Sequence, residues 1–128
     1  MRDMILNRGI PNGFLKENPH GIEQLNTIPD AIQEMMLQSC EGMIRIFPVW
    51  PRAEHPNAFF RNFRAWGGLE VSAALKDGEV ERVSILSHKG HPCRVENPWP
   101  GKSVKVSYEY GRPDEVHFGE YLNIELYK

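Results

Sequence analysis

The spacing of apolar residues changes period near residue 42. Before it, Ile28, Ala31, Ile32, Met35 and Met36 fall at i, i+3, i+4, i+7 and i+8, the single stripe of an amphipathic helix. This predicts a helix over about 28–41. Thr27 suits the N-cap, Pro29 the first turn, Asp30 the positive end of the dipole, and Gly42 the stop at C′. Residues 1–27 hold Gly9, Pro11, Gly13, Pro19 and Gly21 and read as irregular. A structureless segment of that length is uncommon inside a compact domain, so its packing partner is expected to lie elsewhere.

From residue 43 the period becomes two. Ile44 and Ile46 alternate with Met43, Arg45 and Phe47, and Leu69, Val71, Ala73 and Leu75 share one face opposite Glu70 and Ser72. Asp77-Gly78 sits between two alternating runs, a strong two-residue hairpin signal, with a return strand at about 79–87. Short strands are expected around Cys93 and Val95 and around Val104, Val106 and Tyr108. A last strand is expected over 116–127, with Leu122, Ile124 and Leu126 on one face. The predicted fold is mainly β: an antiparallel β-sandwich of about seven strands, preceded by an irregular segment and one α-helix. The natural division is 1–42, loop and helix, and 43–128, sandwich.

Composition adds limits. The chain has 128 residues, enough for one moderate core, and a net charge of −2, which sets up no strong field toward nucleic acid or membrane. The N-terminal apolar run is too short for a signal peptide, and no stretch reaches membrane-spanning length. Cys40 and Cys93 form no C-x-x-C pair; one disulfide or two free thiols both fit the count.

Residues 35–51, M-M-L-Q-S-C-E-G-M-I-R-I-F-P-V-W-P, followed by Arg64-Ala65-Trp66-Gly67-Gly68-Leu69-Glu70-Val71 and by Lys76-Asp77-Gly78, resemble a junction in glycoside hydrolase family 95, the α-L-fucosidase-like enzymes. Gly90-His91-Pro92-Cys93 and Asn97-Pro98-Trp99 extend the resemblance, which runs from about Ile22 to Pro100. The family places a helical (α/α) barrel before a C-terminal β-sandwich. The resemblance therefore implies that residues 1–42 end a barrel and that 43–128 form the accessory sandwich of a larger inverting glycosidase. The rest of the barrel is the implied partner, and the parent would be secreted or periplasmic. An isolated chain with an uncovered helix stripe is expected to dimerise or to fold the helix onto its own sheet.

The resemblance also points to one carboxylate. Counting back from Leu37-Gln38-Ser39, the position of the family's catalytic base falls on Glu23 in His20-Gly21-Ile22-Glu23-Gln24-Leu25-Asn26. Glu stands there instead of Asp, and the following Gly-Asn is absent. The alternative is a solvated loop acid. Either way, inversion needs a separate acid and base, so the chain alone is expected to be inactive.

Trp50, Trp66 and Trp99 are candidate sugar-stacking residues, or else core and interface anchors. A carbohydrate-binding module without catalytic function is thus the alternative reading. His88, His91 and Cys93 are metal-ligand types at a spacing that fits no standard site, and an ordinary turn with a buried Cys93 is expected instead. Phe59 to Trp66 interleaves aromatics with Arg61 and Arg64, a pattern used on single-stranded nucleic acid, but the balanced charge argues for packing and surface contacts. No metal, cofactor or nucleic-acid partner is expected.

Overall fold

The alternation of β-branched and small apolar residues is realised in two sheets and a ribbon. The structure, a computed structural model, describes residues 7–9, 16 and 23–126, without the side chains of 23–26 and 110. Most of the segment expected to be irregular lies outside the described residues. The chain divides into two compact units, Met1–Met35 and Met36–Lys128.

The helix α1 (Glu23–Met36), in the first unit but for its last residue, starts earlier and ends earlier than its expected range of 28–41. Its stripe is correct: Ile28, Ala31, Ile32 and Met35 are half-buried, while Pro29, Asp30, Gln33 and Glu34 are exposed. Pro29 lies inside the helix rather than in its first turn.

The second unit begins with a hairpin where the helix was expected to continue. β1 (Leu37–Cys40) pairs antiparallel with β2 (Met43–Ile46), Cys40 opposite Met43. Glu41 and Gly42 both have positive φ, 54° and 70°, as a type I′ turn requires. Gly42 is therefore a hairpin residue and not a helix stop. The physical reason is visible in the stripe, whose last member, Met36, is also the last residue of the helix.

Among the described residues there are nine strands, where about seven were expected. The first sheet has the order β1-β2-β6-β9, with β6 at Cys93–Glu96 and β9 at Tyr121–Ile124. Its β2–β6 pair is parallel, Ile44 opposite Val95. The second sheet is the meander of β3 (Ala58–Ala65), β4 (Leu69–Lys76) and β5 (Glu79–Ser87). Asp77-Gly78 makes the expected hairpin turn, with φ of 51° and 80°. β7 (Val104–Val106) and β8 (Glu115–His117) form a separate ribbon. The single last strand expected over 116–127 is two strands, β8 and β9, interrupted at Gly119, whose φ is 104°.

The fold is mainly β and sandwich-like, as the alternation predicts. Leu37, Ile44, Ile46, Val95, Leu122 and Ile124 of the first sheet share one core with Phe60, Leu69, Val71, Ala73, Leu75 and Val80 of the second. Phe47 closes that core. Its N–H donates to the Met36 carbonyl at 2.7 Å, and its ring meets Phe60 and Trp50 edge-on at 5.4 and 6.1 Å. A bulky residue at a φ of 51° is strained, and near-complete burial holds it there.

Candidate functional site

The β1–β2 hairpin ends beside the turn of the β3–β4 hairpin. That turn is Trp66-Gly67-Gly68, with φ of 86° and 73° at the two glycines. Gly68 cannot be replaced without strain: a Cβ there would lie 3.0 Å from the Lys89 stem, and its carbonyl accepts the His88 N–H at 3.0 Å. The Trp66 N–H donates to Ser39 Oγ at 3.2 Å and ties the two turns together.

Between them lies a cleft of about 450 Å³, lined by Ser39, Gly42, Ile44, Trp66, Pro92 and Cys93 among others. Three separate stretches of sequence meet here: Q-S-C-E-G-M-I, R-A-W-G-G-L and G-H-P-C-R. The Trp66 side of the cleft is strongly exposed, with Trp66 itself 81% accessible. The same β3–β4 hairpin carries an ionic cluster, with Arg64 opposite Glu70 in the ladder. Glu70 Oε2 takes both Arg64 Nη1 at 3.5 Å and His88 Nε2 at 3.3 Å.

The three tryptophans do not share a face. The Trp50 indole N–H donates to the His55 carbonyl at 2.9 Å and the Trp99 indole N–H to the Val80 carbonyl at 2.6 Å. Both rings pack against the core. Their loops converge on the Asp77-Gly78 end of the second sheet, where Arg52 Nη1 also reaches the Gly78 carbonyl. Trp66 is at the opposite end of β4, roughly 24 Å away at ~3.4 Å per residue. Trp66 is thus the exposed member of the three.

Glu23 is the first residue of α1, and its side chain lies outside the described residues. His88 is bound to Glu70, His91 is exposed and Cys93 is buried. Among the described residues no group of three acids, histidines or cysteines could hold a metal ion. Cys40 and Cys93 are both free thiols, the first exposed and the second buried. Burial, and secondarily the Glu125 carboxylate, pushes the Cys93 thiol up to about 11. It stays protonated at neutral pH and is poorly suited to act as nucleophile or ligand.

Two features escape sequence reading, one in the cleft and one away from it in the Trp99 corner. Ser39 looked like a helix residue, so its role as an acceptor for Trp66 was hidden. Asn97, buried at 6%, donates through Nδ2 to the carbonyls of Lys102 and Gly119, and its Oδ1 accepts the Trp99 N–H. The Asn97-Pro98-Trp99 stretch gave that away only as a turn. No family model matches the chain, and no curated protein matches it.

Proposed function

We propose that this chain is the accessory β-sandwich of a glycoside hydrolase of the family 95 type, bracing a helical catalytic barrel and contributing no turnover of its own. The supporting observation is convergence. Three of the segments on which the resemblance rests, around Gly42, Trp66 and Cys93, are distant in sequence, yet they line one cleft beside the exposed Trp66. An exposed aromatic with a cleft beside it, on a hairpin that also carries an ionic cluster, has the anatomy of an interface anchor. Glu23 remains the one candidate carboxylate from the resemblance, and inversion needs a second group from the barrel.

The test mixes the purified chain with the helical barrel of a family 95 α-L-fucosidase from which its own sandwich has been removed. Association in the micromolar range, weakened about tenfold or more by Trp66→Ala, supports the brace. No association, with unchanged fold, removes it.

The same exposed indole favours the second reading, a carbohydrate-binding module, because the C–H face of a pyranose stacks on it. Titration with neutral oligosaccharides followed by tryptophan fluorescence separates the two. Saturable quenching lost in Trp66→Ala supports the module, and silence supports the brace.

A further inference from the structure

The outer face of the second sheet carries two β-bulges, and each sits at an arginine. In β3 the register shifts between Phe60 and Phe63, so Arg61 and Asn62 occupy the bulge, with Asn62 at a φ of 58°. In β5 it shifts opposite Ala74 and Leu75, which pair with Arg82 and Val80, leaving Glu81 as the extra residue. Bulges locally re-aim side chains and concentrate beside sites. Between the two lies β4, so the arginines flank one strand from both sides.

Over that strand is a depression of about 280 Å³ lined by Phe60, Arg61, Ser72, Ala73, Arg82 and Ser84, four of the six polar. Ser72 and Ser84 are direct partners in the ladder and form its floor. Ser72 Oγ is engaged by Asn62, accepting its N–H at 2.9 Å and donating to its Oδ1 at 3.3 Å. The Ser84 hydroxyl has no partner among the described residues, and neither arginine has an ion-pair partner among them. Of the acids on these three strands, Glu70 holds Arg64 and His88, and Glu79 and Glu81 are exposed. Arg61 leans over the Phe59 ring at 5.4 Å, and that ring is 66% exposed.

From this arrangement we infer that the depression binds an oxyanion carried on a sugar, a uronic acid or a sulfated residue. Two guanidinium forks and a free hydroxyl donate to the anionic group. On binding, the Arg61 fork turns from the Phe59 ring to the anionic group, and the exposed ring it leaves accepts the apolar side of the sugar. The volume, just below the ~300–1,000 Å³ range of small-molecule sites, suits one sugar unit. The site lies on the sheet face and is independent of the Trp66 cleft and of the bracing role.

The test is calorimetric titration of the full chain with tri-galacturonate, with its neutral methyl ester, and with a sulfated galactose trisaccharide. Saturable one-to-one binding of either acidic sugar is expected, with the ester at least about tenfold weaker. The tighter of the two acidic ligands identifies the group. Arg82→Gln and Arg61→Gln, both at exposed positions, should each weaken binding about tenfold with unchanged melting, the loss expected for one charge-assisted hydrogen bond. Ser84→Ala, a milder change, should cost about threefold. Equal binding of acid and ester overturns the inference. So does full affinity in the arginine variants, or oligothymidylate binding as tightly as the sugars, which would mark a generic polyanion surface.

Discussion

The backbone N–H of Trp66 donates to Ser39 Oγ at 3.2 Å across 27 positions of chain. This one bond links a hairpin of the first sheet to a hairpin of the second at the rim of the cleft. Ser39→Ala removes the acceptor and leaves the turn otherwise intact. Because the site is exposed, water can replace the bond, so the stability loss should be about 0.5–1 kcal/mol by urea unfolding. The amide of Trp66 should also exchange faster with solvent while its neighbours in β4 do not. A loss above about 2 kcal/mol would mean that Ser39 does more than hold this turn.

The exposed and half-buried tryptophans should separate cleanly. Trp66→Phe should change stability by less than about 0.5 kcal/mol, the usual size for an exposed position. Trp99→Phe removes the donor to the Val80 carbonyl, which belongs to a buried residue, and should cost about 1–3 kcal/mol. Thermal unfolding of the two variants side by side is the measurement.

Much of the fold was legible because a period of two has few other meanings. Val71 and Ala73 went where alternation put them, and Asp77-Gly78 turned as expected. The helix end was misread because Leu37 to Glu41 carries no turn signal of its own before Gly42. The glycine that stops a helix is the same residue that completes a type I′ turn, and only pairing of Cys40 with Met43 decides between them. The Trp66 cleft was half legible. Its residues were singled out, but their meeting depends on which strands are neighbours. The bulges at Arg61 and Arg82 were invisible, since a bulge is a property of two strands and not of one.

Asn97 is the polar residue on which the chain's last third depends. It is buried and makes three hydrogen bonds to the backbone, two of them to carbonyls of separate loops. Asn97→Ala orphans both carbonyls and the Trp99 N–H, and should cost about 3 kcal/mol or more. Asn97→Asp keeps the acceptor but loses the donors, and places a charge at a buried point, so it should be no milder. Unfolding of both variants by guanidinium is the check. A cost under about 1 kcal/mol for either would show that solvent reaches this corner.

Cys93 gives the fold a dependence on alkaline pH. Its thiol is pushed up to about 11 by burial, from 9.0 in the unfolded chain. Well below pH 9 the thiol is protonated in both states and contributes almost no slope. Between about 9 and 11 the unfolded chain releases the proton while the folded one retains it, so stability falls as pH rises through that window. The loss should be about 1–2 kcal/mol, less than full linkage because the thiol lines an open cleft. Lysines and tyrosines titrate there too, so the reading is the difference from Cys93→Val. The wild type should lose stability more steeply than the variant between pH 9 and 11, and both should run parallel below pH 8.5. Parallel curves throughout would mean that the thiol ionises as easily in the folded chain as in the unfolded one.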